Sequence, residues 1–267
     1  MKIKPLEIAA KKGFICDMDG VIYHGNKLLP GVPEFVEYLK SKNKRFLFLT
    51  NSSERSPVEL RQKLLRLGLD VSQDHFYTSA LATAHFLATQ KPGCTAYVIG
   101  EPGLMNALYE AGVTMNDVNP DYVVVGETRN YNYESIIRAV RFVFAGAKLI
   151  GTNPDLTGPS ELGIIPACRA FTAPIEMTTG QSAYFVGKPN PLMMRTALKL
   201  LDVSTEDAVI VGDRMDTDIV AGIESEIETA LVLSGVTAVE DLVKFPYGPD
   251  YIYNGVGDII KGKLYNQ

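Results

Sequence analysis

The chain has 267 residues, 46% apolar and 21% charged, and its 31 acidic and 26 basic residues leave a formal net charge of −5. This is a globular composition with material for one or two domains, which excludes a disordered chain, a collagen-like chain and a small disulfide scaffold. The acidic balance lacks the basic footprint of a protein that grips polymeric nucleic acid.

The predicted elements alternate along the chain. Residues 13–16 read as a short apolar strand, 33–42 as a helix and 44–49 as a second strand. Ser56 as N-cap, Pro57 at the first helical position and Glu59 three residues past the cap open the next helix, which Gly68 would end. Ser79 is the expected cap of a helix reaching residue 90. Strand 95–99, a helix ending near Gly112, strand 122–125, a helix over 134–145 and strand 148–150 follow. A loop leads to a helix over 167–179, and strand 183–186 precedes a helix opened by Asn190 and Pro191. Strand 208–211 precedes a helix from Thr217, and strands 229–233 and 251–252 close the set. Strands alternating with helices predict a parallel α/β architecture.

Three cysteines, Cys16, Cys94 and Cys168, are odd in number and form no C-x-x-C pair. They read as reduced, buried thiols of a cytoplasmic protein. Residues 1–12 lack the apolar stretch of a signal peptide, and no run approaches the roughly 18 apolar residues of a membrane span.

Four polar strings each follow a predicted strand directly. Asp17-Met18-Asp19-Gly20 places two carboxylates two residues apart, leaning the same way on an extended backbone, before a glycine that can turn. Such a pair can divide the work of nucleophile and proton donor and can hold a hard cation. A solvated turn is the plain alternative. A calcium loop is excluded, because the fifth and twelfth positions counted from Asp17 hold Val21 and Leu28. Thr50-Asn51-Ser52-Ser53 offers a hydroxyl, an amide and backbone N–H groups to phosphate oxygens, or simply a turn ahead of the Ser56 helix. Gly187-Lys188-Pro189-Asn190-Pro191 sets an ammonium between a strand end and a helix N-terminus. In Gly212-Asp213-Arg214-Met215-Asp216-Thr217-Asp218, Asp213 falls at a strand end, Asp218 opens a helix and Asp216 reads as a solvated charge. Because all four follow β runs, they belong at the C-terminal edge of parallel strands, where open α/β sheets bind ligands. Carboxylates, a hydroxyl with an amide, and one ammonium suit phosphoryl transfer. No G-x-x-x-x-G-K-[ST] or G-x-G-x-x-G string occurs, so a P-loop is excluded and a dinucleotide fold has no support.

Asp17-Met18-Asp19-Gly20-Val21, Thr50-Asn51, Lys188 and Gly212-Asp213 with Asp218 resemble, in order, the four motifs of the haloacid dehalogenase-like (HAD) hydrolase superfamily. Longer strings resemble its NagD branch of phosphatases: Thr50-Asn51-Ser52-Ser53, Val124-Val125-Gly126-Glu127-Thr128, Gly151-Thr152-Asn153-Pro154-Asp155, Tyr184-Phe185-Val186-Gly187-Lys188-Pro189 and Leu231-Val232-Leu233-Ser234-Gly235-Val236. The resemblance runs from Gly13 to Ile252. It implies an α/β fold with a Rossmann-like parallel-sheet HAD core, residues 1–84 together with 182–267, and an inserted α/β cap domain of the C2 type, residues 85–181.

The same resemblance implies roles. Asp17 would be the nucleophile that forms an aspartyl phosphate, and Asp19 the acid that becomes the base. Mg2+ would sit on Asp17, the backbone carbonyl of Asp19 and Asp213, with Asp218 orienting Asp213 or a bound water. Asp19, Thr50, Asn51 and Lys188 would meet the phosphate. Asn153 and Asp155 would form a specificity loop of the cap, with residues 126–133, including Glu127, Arg129, Tyr131 and Tyr133, as a second polar edge. The two tyrosines can equally be half-buried structure. Gly25-Asn26 suits the tight turn of a short hairpin with His24 on its surface, and His75 and His85 read as structural. The implied activity is Mg2+-dependent hydrolysis of a small phosphorylated metabolite, foremost nucleoside 5′-monophosphates. Sugar phosphates, phosphoglycolate and pyridoxal phosphate are the alternatives. Caps in this superfamily often pair, which admits a homo-oligomer through the cap; neither a membrane nor polymeric nucleic acid is an expected partner. A phosphoacceptor signalling domain also uses an aspartate, a hydroxyl and a lysine around Mg2+, but needs neither a cap nor an acid two residues after the nucleophile. Residues 244–267 carry no readable chemistry.

Overall fold

The computed structural model describes residues 7–160 and 163–265. The start of the segment read as free of a signal peptide, and the last two residues of the C-terminal tail, lie outside them. The chain divides into two units. One comprises Met1–Thr50, Arg61–Tyr77 and Lys188–Gln267, and the other Asn51–Leu60 and Thr78–Gly187.

The first unit is organised by a six-stranded sheet in the order Tyr251–Tyr253, Glu228–Val232, Ala208–Gly212, Gly13–Cys16, Arg45–Thr50 and Phe76–Thr78. The pairings among the first five of these strands are parallel. Gly13–Cys16 is buried throughout, as expected of a central strand covered on both faces. Phe14 meets Phe35 of helix Val32–Ser41 edge to face, with ring centroids 6.0 Å apart. Register matters most here. Cys16 pairs with Val211 on one side and Phe48 on the other, so these strands end side by side. Asp17, Thr50 and Asp213 therefore leave from one edge of the sheet. The short hairpin is present, with Tyr23–His24 antiparallel to Lys27–Leu28 and Gly25 at φ 57°.

The second unit has its own five-stranded parallel sheet, ordered Tyr184–Phe185, Lys148–Gly151, Tyr122–Val125, Thr95–Ile99 and Thr114–Met115. Its core joins Ile99, Val123, Val125 and Leu149 to Ala139, Val143 and Ile175 of the covering helices. The boundaries expected after residues 84 and 181 fall inside this unit. Helix Ser79–Gln90 packs along helix Pro102–Glu110, and Tyr184 pairs with Ile150, so both segments go with the second sheet.

Several elements differ from expectation. Thr78, not Ser79, caps helix Ser79–Gln90, because its extended backbone lets Oγ1 accept from the Leu81 N–H at 3.2 Å. The Ser79 hydroxyl donates instead to the Asn51 carbonyl. The expected loop after Gly151 contains an antiparallel hairpin, Thr157–Ser160 with Gly163–Pro166. Its strands lack a buried alternating face, which is the pattern that announces a strand. The helix expected from Thr217 begins earlier, as a π-type turn over Met215–Ile219 that continues into Val220–Glu224. The Ile219 N–H reaches back five residues to the Arg214 carbonyl at 3.1 Å. Among the described residues no helix is long and apolar enough to cross a membrane.

Phe14 anchors the central strand with no exposed surface. Phe14→Ala should cost about 3–5 kcal/mol in chemical denaturation; a loss below about 1 kcal/mol would contradict this packing.

Candidate active site

In the first unit, two carboxylates from distant parts of the chain meet the ammonium of Lys188, which is 2% exposed. It donates to Asp17 Oδ1 and, at 2.6 Å, to Asp218 Oδ1. The other Asp218 oxygen accepts from the Arg214 N–H at 3.2 Å, at the start of the π-type turn. Both oxygens of Asp218 are thus engaged, one by the Lys188 ammonium and the other by the Arg214 N–H.

Asp213 is buried at the end of strand Ala208–Gly212. Its Oδ2 accepts from the Val236 N–H at 2.7 Å, while Oδ1 is enclosed with no hydrogen-bond partner. Glycines make room for these carboxylates. A Cβ on Gly20, already at φ +79°, would collide with Asp213 Oδ2, and one on Gly212 would collide with Asp218. Carboxylate oxygens of Asp17, Asp213 and Asp218 lie within 4.8 Å of one another.

Three carboxylates around one ammonium leave surplus negative charge. Burial pushes the Asp17 carboxyl well above its ordinary value; Lys188 opposes that rise, and Asp218 and Asp213 add to it. Burial and the neighbouring Asp218 push Asp213 up to about 7. Burial alone would favour neutral Lys188, but Asp17 and Asp218 outweigh it and raise the pKa, so the ammonium is retained. An enclosed, unpartnered carboxylate oxygen among three carboxylates fits a hard, oxygen-liganded divalent cation.

Asp19 follows Asp17 by two residues, and its side chain is 42% exposed. Its loop is tied down where Ser234 Oγ donates to the Gly20 carbonyl at 2.8 Å. His24 Nδ1 stands 3.8 Å from Asp19 Oδ1 on the exposed hairpin, too far for a hydrogen bond. Thr50 ends strand Arg45–Thr50 and is half-buried.

The remaining expected residues belong to the second unit. Asn51 uses its side-chain Nδ2 to donate to Asp155 Oδ2 at 3.0 Å. Asn153 is not the open cap contact expected of it. It has no exposed surface, and its Nδ2 donates to the Asn51 carbonyl at 2.7 Å and to Glu127 Oε1 at 2.5 Å. Glu127 is half-buried and is not part of an open polar edge: it accepts from the Ser53 N–H at 3.1 Å and from the Ser53 hydroxyl. Loss of water raises its pKa, and the bonds from Ser53 and Asn153 oppose the rise. The signal for Glu127 was present in the sequence, since it too follows a strand end. Tyr131 is structural, packing on Phe171 and donating to its carbonyl, while Tyr133 is exposed. His75 stacks on Phe46, and His85 is exposed.

A family described as haloacid dehalogenase-like hydrolase matches residues 14–114, and one described as HAD-hydrolase-like matches residues 185–259. The chain is 45% identical over 248 residues to the ribonucleotide monophosphatase NagD of Escherichia coli (strain K12), covering 93% of this chain and 98% of that protein. The solved NagD structure, covered to the same extents, superposes with a TM-score of 0.88. The dihydroxyacetone phosphatase of Corynebacterium glutamicum (strain R) is 43% identical over 246 residues, covering 92% of this chain and 90% of the relative. A 4-nitrophenylphosphatase structure from Thermotoga maritima superposes with a TM-score of 0.92 at 36% identity, covering 95% of this chain and 98% of that one.

Two outcomes follow from the charge arrangement. Lys188→Met leaves Asp17 and Asp218 without their counter-charge and should lower stability by about 3–5 kcal/mol in chemical denaturation. Asp213 holds its proton to about pH 7 in the fold against an ordinary 3.8, so its contribution to stability is complete below about pH 4 and is lost as the pH rises through about 7. With chelator present, the melting temperature should fall across that window, and Asp213→Asn should flatten the fall; an identical slope in both proteins would refute the assignment.

Proposed function

The chain belongs to the haloacid dehalogenase-like hydrolases and is a phosphatase, and from that premise we propose that it hydrolyses small phosphomonoesters through an aspartyl phosphate on Asp17, with nucleoside 5′-monophosphates preferred. The observation that carries this reading is a carboxylate held at a strand end by a buried ammonium, with a second, solvent-reached carboxylate two residues on. Asp17 attacks phosphorus, and the bond from phosphorus to the ester oxygen breaks. Asp19 in its acid form gives its proton to that departing oxygen. Asp19 then takes a proton from the water that attacks the acyl phosphate, so that inorganic phosphate leaves and the Asp17 carboxylate returns. Lys188 and the Thr50 hydroxyl meet the negative phosphate oxygens, as do donors of Asn51. Asp17, the Asp19 backbone carbonyl and Asp213 would hold Mg2+, which when bound neutralises charge on the transferring group.

The second unit is read as a C2-type cap, inserted after the second strand-end motif and before Lys188. The preference for nucleotides is supported by the likeness to a protein named ribonucleotide monophosphatase. Sugar or triose phosphates are the second reading, supported by the relatives named dihydroxyacetone phosphatase and acid sugar phosphatase. The free, buried Cys16, Cys94 and Cys168 suit a reducing cytoplasm.

The test is phosphate release from a panel of monoesters with Mg2+, with chelator and with Asp17→Asn. Turnover should be highest on nucleoside monophosphates, be lost with chelator, and fall by at least on the order of 10⁴-fold in Asp17→Asn. Faster turnover of sugar or triose phosphates would select the second reading. Undiminished turnover in Asp17→Asn would exclude the aspartyl phosphate.

A further inference from the structure

A polar cluster in the second unit contains side chains, Glu127, Ser53, Thr152 and Asn153, that the chemistry above does not use. Glu127 lies just past strand Tyr122–Val125, with Oε2 on the N–H and hydroxyl of Ser53 and Oε1 on Asn153 Nδ2. Asn153 Nδ2 also donates to the Asn51 carbonyl, as does the Ser79 hydroxyl. Thr152 Oγ1 lies 3.3 Å from Ser53 Oγ, and the Thr152 carbonyl accepts from the Gly187 N–H at 2.8 Å. Ser53, Thr152 and Asn153 have no exposed surface. Packing leaves no slack: a Cβ on Gly187 would stand 2.7 Å from both Asn51 Oδ1 and the Thr152 carbonyl, and one on Gly126 2.5 Å from Ser53 Oγ.

Two features separate this cluster from ordinary packing. The first is charge. Withdrawing a carboxylate from water is costly, and a neutral side chain would fill the space more cheaply. A carboxylate instead accepts three donors at once, two of them from Ser53. The second is what the cluster ties down. Asn51, Ser52 and Ser53 continue directly from Thr50, and Gly187 is the peptide neighbour of Lys188. One network holds the chain beside two of the residues assigned to phosphate.

We infer that Glu127 is a positioning residue for phosphate binding: it fixes the Asn51–Ser53 segment and, through Asn153 and Thr152, Gly187, and so sets the backbone from which Thr50 and Lys188 are presented. The inference rests on the phosphate-binding roles proposed above for Thr50, Asn51 and Lys188. Glu127 does not touch the substrate in this scheme, so its influence is on the phosphate common to all esters and is blind to the leaving group.

The test uses the full chain with Mg2+. Binding of inorganic phosphate is measured by calorimetry, and kcat/KM is measured on 4-nitrophenyl phosphate and on a nucleoside 5′-monophosphate. Glu127→Ala should weaken phosphate binding and lower kcat/KM on both esters by one common factor, on the order of 10²-fold. Glu127→Gln should recover much of the loss, because its amide oxygen still accepts from Asn153. Should Glu127→Ala fail to fold, Ser53→Ala, which removes one donor, should show the same pattern at a smaller factor. A lowered melting temperature with phosphate affinity and kcat/KM unchanged would overturn the inference, as would losses confined to one ester. Thr50→Val tests the reading beneath it. If Thr50→Val weakens phosphate binding and neither Glu127→Ala nor Ser53→Ala does, only the inference fails; if Thr50→Val has no effect, the phosphate assignment fails first.

Discussion

The buried ammonium of Lys188 is the constraint on which the first unit's polar cluster depends. A cation with 2% exposure keeps its charge only among anions, and Asp17 and Asp218 supply them. This demand reaches into the backbone. Asp218 must turn back toward the lysine, and the π-type turn at Met215–Ile219 and the absent side chain of Gly212 let it do so. The ammonium neutralises only part of the charge around it. Burial, with that remainder adding to it, raises the pKa values of Asp17 and Asp213, and an enclosed Asp213 oxygen is suited to a divalent cation. The grip on Asp17 and the fit to a divalent cation both follow from one uneven, buried distribution of charge.

Sheet register is what lets residues so distant in the chain meet these demands. With Gly13–Cys16 at the centre and parallel neighbours on both sides, strand ends line up, and the residue after each end projects from the same edge. Buried strands lead directly into Asp17 and Asp213, so the spacing of these two residues is set by backbone hydrogen bonds and needs no long loops.

The second unit repeats the geometry for another purpose. Its parallel sheet also gathers polar groups at strand ends: Glu127 after Tyr122–Val125, and Thr152 and Asn153 after Lys148–Gly151. Here they hold protein backbone. The Asn51 carbonyl, the Ser53 N–H and the Gly187 N–H all form hydrogen bonds at that edge. A neutral set of side chains could have packed this region; the carboxylate of Glu127 gives it a specific geometry.

The sequence by itself determined the alternation of strands and helices, the parallel class, and the positions of Asp17, Asp19, Thr50 and Asp213 at or past strand ends of one sheet; Lys188 instead follows a strand of the second sheet, which chain order could not reveal. These are local properties: apolar period and chain order suffice within one sheet, because its parallel strands deliver their C-terminal ends to one edge. Caps and boundaries were legible to within a few residues, as the choice of Thr78 over Ser79 shows. The partners were decided only by tertiary structure. That Asp218 holds Lys188, that Asn153 is enclosed, and that Glu127 grips Ser53 follow from groups brought together across long stretches of chain. The exposed hairpin Thr157–Ser160 with Gly163–Pro166 was hidden for a different reason: its strands bury no alternating face, so composition carries no trace of it. Periodicity records which side of an element avoids water. It does not record which donor finds which acceptor, because that depends on distances the fold alone sets.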